Sequence, residues 1–249
     1  MLLNRKVMKI KDFFSPNYNK NKRSKGSIKT IVIHYTGMQS ERESLNRLCD
    51  FKSRVSCHYL INRNGKIFRL VKDRNIAWHA GKSCWSKYRN LNKNSIGIEL
   101  VNRGHQFGYT NYTSKQILQL IVLCSSLIKK YKISKRNIVG HSDIAPSRKI
   151  DPGEKFPWQL LSKNKIGIWH NLNNSLLKKF RKKQLKKKRD KIQFIKDINS
   201  IGYCVKFYSN KNVLKKVIKG FQRHFRKDLI NGLLDLECVI IASNLAKKL

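Results

Sequence analysis

His141-Ser142-Asp143-Ile144-Ala145-Pro146-Ser147-Arg148-Lys149-Ile150-Asp151-Pro152-Gly153 is the stretch on which the reading of this 249-residue chain turns. A short apolar strand, Asn137-Ile138-Val139-Gly140, delivers His141. A proline-bearing loop then leads to Asp151, with Lys149 two positions before it. Upstream, the β-branched run Thr30-Ile31-Val32-Ile33 reads as a buried strand that delivers a second histidine, His34. Two imidazoles and one carboxylate suit a zinc ion that keeps its fourth position for water. Spacing alone does not single these residues out, because the chain has seven histidines.

Between the two histidines the pattern alternates strands and helices. Residues 41–51 carry Leu45 and Leu48 at helical spacing. Cys57-His58-Tyr59-Leu60-Ile61 reads as a strand, and Asn64-Gly65 turns it into a further strand over 66–71. Residues 96–101 form another strand. Residues 113–130 read as a helix capped by Thr113, with Ile117, Leu120, Ile121, Cys124 and Ile128 on its apolar face. The fold class expected is α/β, a mixed β-sheet flanked by helices, because the hairpin signal argues against an all-parallel sheet. A small all-α C-terminal domain should follow.

Composition sets the domain expectation. Residues 1–29 are polar and basic and read as an N-terminal arm, with Ser15-Pro16-Asn17-Tyr18 lying against a catalytic domain over 30–172. Residues 173–191, with Arg181-Lys182-Lys183 and Lys186-Lys187-Lys188-Arg189, read as a basic linker. Residues 192–249 suggest three short helices.

The formal net charge is +41, from 55 basic and 14 acidic residues. No nucleic-acid motif accompanies it and the lysines are spread along the chain, so the charge reads as compositional. An anionic wall polymer would still feel the field. No apolar run reaches the ~18 residues of a membrane span. The N-terminus lacks a signal-peptide h-region, so the chain reads as cytoplasmic as encoded, with periplasmic or secreted export by a non-standard route as the alternative. A monomer is expected. The six cysteines include no C-x-x-C pair and are expected to be reduced, small apolar residues.

Four segments in order, Ile31-Val32-Ile33-His34-Tyr35-Thr36, Ala77-Trp78-His79-Ala80-Gly81, Ser95-Ile96-Gly97-Ile98-Glu99 and the 141–153 loop, resemble the type 2 family of zinc-dependent N-acetylmuramoyl-L-alanine amidases, on its AmiD and AmpD branch. Ile201-Gly202-Tyr203, the 221–226 segment and Asn231-Gly232-Leu233-Leu234-Asp235 resemble the helical peptidoglycan-binding domain that often follows this amidase. The resemblance implies Zn²⁺ held by His34, His141 and Asp151, on peptidoglycan or muropeptide substrate. It implies Glu99 as proton shuttle and Lys149 as oxyanion stabiliser. If 149–151 is extended, Lys149 and Asp151 face the same way.

Asp143 would orient His141 or cap the loop; as a third ligand in place of Asp151 it would leave little room for the residues between. His58 and His79 are expected to line the cleft, and Trp85 and Trp158 to face sugar or peptide. His105, His170 and His224 read as outside the chemistry. Two rival readings use the same scaffold. One is a non-catalytic peptidoglycan-recognition protein, which would lack part of the zinc set. The other is a polyanion-binding protein on an inactive amidase fold, which salt-sensitive nucleic-acid binding would reveal.

Overall fold

The computed structural model describes residues 8–185, 187–205 and 210–249. The chain divides into two compact units, Met1–Gly81 with Asn92–Ser134, and Lys82–Leu91 with Lys135–Leu249.

The first unit contains β1 (Ile10–Asp12), β2 (Tyr18–Asn19), β3 (Thr30–Tyr35), α1 (Glu41–Cys49), β4 (Tyr59–Ile61), β5 (Ile67–Arg69), β6 (Ile76–Ala77), β9 (Ser95–Leu100) and α2 (Ser114–Tyr131). Within it, five strands follow the order β1-β5-β4-β9-β3. The β5–β4 pair is antiparallel and the other three pairs are parallel, so the sheet is mixed as expected. The runs Thr30-Ile31-Val32-Ile33 and Ser95-Ile96-Gly97-Ile98 are buried, which fits strands covered on both faces.

The β4–β5 connection is the Asn-Gly turn. Gly65 sits at φ +83, and Asn62 Oδ1 accepts from the backbone N–H groups of Asn64 and Lys66. Helix α1 starts at a Ser40 cap but stops at Cys49, short of Phe51, because the Asp50 carboxylate caps the following tight turn at the Lys52 N–H. Helix α2 starts as expected, with Thr113 Oγ1 accepting from Gln116 N. Its buried stripe is Ile117, Leu120, Leu123, Cys124, Leu127 and Tyr131. Ile121 and Ile128 are only half-buried; the real stripe follows the 3.6-residue period more closely.

Residues 1–7 of the expected arm lie outside the described residues. The rest of it does more than lie alongside. β1 pairs in parallel with β5, and Arg69 grips Asp12 with two hydrogen bonds of 2.7 and 2.9 Å. Ser15 donates to Leu48 O, and the Asn17 amide donates to Asp50 O and Val55 O.

The second unit contains the hairpin β7 (Cys84–Trp85) and β8 (Tyr88–Arg89), then β10 (Ile138–Gly140), α3 (His141–Ile144), α4 (Trp158–Lys163), α5 (Asn174–Lys178), α6 (Lys188–Ile201), α7 (Lys211–Phe225) and α8 (Leu236–Ala246). Phe194, Tyr203 and Phe221 are buried together, with ring centroids 5.3 and 6.1 Å from Phe221. The 173–191 segment is partly ordered by charge: the Arg181 guanidinium donates to both Glu237 oxygens at 2.7 and 2.8 Å. Gly220 lets α7 approach α3, since a Cβ there would lie 2.7 Å from Ser142 O.

One expectation about the cysteines fails. Cys84 and Cys204 form a disulfide, with Cα atoms 6.0 Å apart, whereas Cys49, Cys57, Cys124 and Cys238 are free. The two partners are 120 residues apart, so no local spacing could announce them. The backbone N–H of Ser86 donates to Gly202 O and brings the hairpin beside the 202–204 segment.

Candidate metal centre

In the first unit His34 ends the buried part of β3 and is 1% exposed. Strand register sets Glu99 of β9 directly opposite it. Residues opposite one another in a sheet share a face, so one imidazole and one carboxylate lie side by side. His34 Nε2 lies 3.0 Å from His79 Nδ1, and His79 Nε2 lies 3.1 Å from Ser95 Oγ. The His34 and His79 rings meet edge to face at 5.1 Å. Gly97 makes room for this arrangement: a Cβ there would lie 2.6 Å from His79 Nδ1. Asn92 Oδ1 accepts from the backbone N–H groups of His79 and Ala80 and fixes the segment. His79 is thus a brace on His34 and half-buried.

His58 serves the scaffold. It is fully buried. Its Nδ1 accepts from Gly97 N at 3.0 Å, and its Nε2 lies 2.9 Å from Arg23 Nη2 and 3.2 Å from Asn75 O. Burial, reinforced by the nearby Arg23 charge, pushes its pKa down to about 3. It therefore stays neutral, and both ring nitrogens are engaged inside the fold.

In the second unit His141 opens α3 and is 3% exposed. Its Nδ1 is 3.2 Å from Asp151 Oδ2. That carboxylate is also buried, at 7% exposure. Asp143 holds the segment from behind. Its Oδ2 accepts from Gly140 N at 2.7 Å, capping α3, and lies 2.8 Å from His224 Nδ1; its Oδ1 accepts from Tyr203 OH at 2.6 Å. Burial and the Asp143 charge push the Tyr203 phenol up, so it remains a donor. Asp143 therefore braces and caps, with both oxygens used.

Lys149 is half-buried beyond a turn, its backbone N–H donating to Ala145 O at 3.0 Å. Lys149 and Ile150 belong to no helix or strand, and Asp151 opens a turn.

Trp85 is not a substrate-facing ring. It is 2% exposed and packs edge-on against Tyr203 at 5.0 Å. Gly202 passes so close that a Cβ there would meet the indole. Trp158 is also buried and stacks on His224 at 3.9 Å. Tyr203 and His224, the partners of Asp143, were not expected at the site. Tyr203 comes from the segment just after α6 and His224 from α7, and no motif near His141 points to them.

His34 in the first unit, and His141 and Asp151 in the second, are buried residues of types that can hold a metal ion. The family model for N-acetylmuramoyl-L-alanine amidase (Amidase_2) matches residues 24–154. The amidase AmiD of Escherichia coli (strain K12) is 39% identical over 236 residues, covering 89% of this chain and 83% of that protein. The 1,6-anhydro-N-acetylmuramyl-L-alanine amidase AmpD of Haemophilus influenzae is 36% identical over 163 residues, covering 58% of this chain and 86% of that protein. Among solved structures, E. coli AmiD in complex with anhydro-N-acetylmuramic acid-L-Ala-D-gamma-Glu-L-Lys matches with TM-score 0.78 at 35% identity, covering 92% of this chain and 93% of that one. Pseudomonas aeruginosa AmpDh3 in complex with anhydromuramic pentapeptide matches with TM-score 0.78 at 30% identity, covering 94% and 96%. The chain belongs to the N-acetylmuramoyl-L-alanine amidase family, and it is an amide hydrolase of that class.

Proposed function

We propose that this chain hydrolyses the amide between the lactyl group of N-acetylmuramic acid and L-alanine in peptidoglycan fragments, with zinc held by His34, His141 and Asp151. The observation that carries the reading is the 3.2 Å separation of His141 Nδ1 and Asp151 Oδ2 in a chain of this family. Adjacent ligand atoms on a tetrahedral zinc with bonds of about 2.0–2.1 Å lie about 3.3 Å apart. The donor chemistry also fits. Two imidazole nitrogens and one carboxylate oxygen, all on buried residues, match a site that keeps one position for water. The bound fragments named for AmiD and AmpDh3 support the substrate class.

Zinc, when bound, lowers the pKa of a water and polarises the scissile carbonyl. Glu99 takes the proton of the attacking water on its carboxylate and returns it to the leaving alanine nitrogen. Lys149 sets its ammonium against the oxygen that gains charge. His79 holds the His34 ring, and Asp143 holds the start of α3 under His141. The 192–249 helices are assigned to holding the wall polymer. The Cys84–Cys204 pair supports work in an oxidising compartment, the exported alternative. Thiol alkylation of protein taken directly from cells, followed by mass measurement, tests this; two extra labels without added reductant would overturn it.

The activity is tested by incubating the full chain with intact sacculi and with soluble anhydromuropeptide, with and without chelator. Free stem peptides are followed by mass spectrometry. Release that stops with chelator and returns with zinc is expected. Release indifferent to chelator overturns the metal assignment. Binding without release, in zinc-loaded protein, leaves a recognition protein instead.

A further inference from the structure

In the second unit the Cys84–Cys204 disulfide ties the β7–β8 hairpin to the segment just after α6. The neighbours of the two cysteines pack against one another. Trp85 lies edge-on to Tyr203 at 5.0 Å, and the backbone N–H of Ser86 donates to Gly202 O at 2.6 Å. Tyr203 then reaches inward. Its OH donates to Asp143 Oδ1 at 2.6 Å, while Asp143 Oδ2 accepts from Gly140 N at 2.7 Å and closes the start of α3, whose first residue is His141. A continuous run of contacts therefore leads from the disulfide to His141.

The inner links of this run are sealed, and the outer one is open. Tyr203 and Asp143 are buried, whereas Cys204 is exposed and Cys84 half-buried. Both cysteines, with Tyr203 and Asp143, line one cavity of about 430 Å³. An accessible sulfur can be attacked by an incoming thiolate, as one closed in a core cannot. The hairpin also needs the bond. Its strands are two residues each, and a lone two-stranded hairpin is marginal in water.

We propose that the Cys84–Cys204 disulfide is a redox latch on the His141 side of the site. Oxidised, it holds Tyr203 against Asp143 and α3 in place; reduced, it lets Tyr203 withdraw and α3 loosen. A dithiol opens it. One thiolate attacks Cys204 Sγ, the Sγ–Sγ bond breaks, and Cys84 leaves as a thiolate that takes up a proton. The second thiol attacks the mixed disulfide and releases Cys204 in the same way. The dithiol departs as its own disulfide, having given two electrons and two protons. A chain kept under reducing conditions carries a loosened His141, and oxidation tightens it. The latch rests on the amidase reading for its purpose alone; the coupling itself is physical.

The test follows amide hydrogen exchange in the full chain, oxidised and after reduction by dithiothreitol. Alkylation and mass measurement show whether the disulfide opens while the chain is folded. The Gly140 amide donates into the Asp143 carboxylate, so it reads the latch without metal or hydrolysis. Its exchange is expected to rise about tenfold on reduction, with Ile218 in α7 unchanged. Tyr203→Phe keeps the disulfide and removes the hydroxyl; its Gly140 exchange should start raised and gain less than about twofold on reduction. The double variant Cys84→Ser, Cys204→Ser should match the reduced chain with no reductant present. Its zinc affinity, read by competition with a chelating dye, should be about tenfold weaker than that of the oxidised parent. If that variant fails to fold, the reduced parent carries the test. Unchanged Gly140 exchange on reduction overturns the latch, as does a disulfide that stays closed in the folded chain. An equal rise at Ile218 shows a general staple and overturns it too. A full response in Tyr203→Phe overturns the route through the phenol. A parent that binds no zinc overturns the metal assignment of the proposed function and leaves the exchange result to decide the latch.

Discussion

The two compact units hold their candidate site residues by different physical means. In the first, His34 and Glu99 are neighbours because β3 and β9 pair in one register. A one-residue slip of either strand would turn its side chain to the opposite face and part the two. In the second, His141 and Asp151 sit on a four-residue helix and a turn, which cannot hold a ligand rigidly without help. The help comes from far along the chain: Tyr203 and His224 converge on Asp143, which caps α3. A site residue on a sheet inherits its precision from the ladder, whereas one on a turn needs braces from elsewhere. Mutation should therefore damage the two sides in different ways.

The largest effect expected is on the sheet side. Glu99→Gln keeps the register and the shape but removes the proton shuttle, so kcat should fall by roughly 10²–10⁴-fold while zinc content stays unchanged. Steady-state kinetics with metal analysis checks this; near-normal turnover would mean another group is the base.

Asp143→Asn tests the braced side. The amide cannot accept from Gly140 N, Tyr203 and His224 as the carboxylate does, so metal affinity or activity should drop by about 10–100-fold. Tyr203→Phe removes one of the three contacts and should cost less. If both variants bind zinc as tightly as the parent in a competition assay with a chelating dye, the braces do not serve the site.

Gly97→Ala sharpens the sheet side. The new methyl must displace the His79 ring, which overpacks a buried region and should cost about 1–3 kcal/mol of stability. Denaturant melts would read the loss. An unchanged midpoint would show that His79 moves freely and does not brace His34.

The smallest effect at neutral pH is a pH dependence, which grows as the pH falls. His58 has its pKa depressed to about 3 in the fold, against an ordinary value of 6.5. The unfolded chain therefore takes up the proton first. The contribution of neutral His58 is complete above about pH 6.5 and is lost as the pH falls toward about 3, by up to ~1.4 kcal/mol per pH unit. His58→Gln should flatten that part of the stability curve measured by denaturant titration between pH 7 and pH 5. The same acid slope in the variant would place the titrating group elsewhere.

Much of the first unit is legible in the amino-acid sequence. Period-two and β-branched patterns announce β3, β4 and β9, the Asn-Gly pair announces the hairpin, and Thr113 announces α2. These signals are local: each depends on residues within one or two turns of itself. His34, Glu99, His141 and Asp151 are identifiable because family wording surrounds each of them in sequence.

The roles of the aromatic and braced residues are not legible in the same way, because they depend on partners distant in the chain. Trp85 reads as substrate-facing from its neighbours in sequence, but Tyr203 and Gly202, more than a hundred residues on, pack against it. Cys84 reads as an isolated thiol, yet the same approach brings Cys204 beside it. Sequence set the strands, the caps and the identity of the reactive groups, since propensity and hydrophobic period act over a few residues. Tertiary structure decided which carboxylate braces and which indole is core. Those roles follow from desolvation and hydrogen-bond satisfaction, which exist only once distant segments have closed over one another.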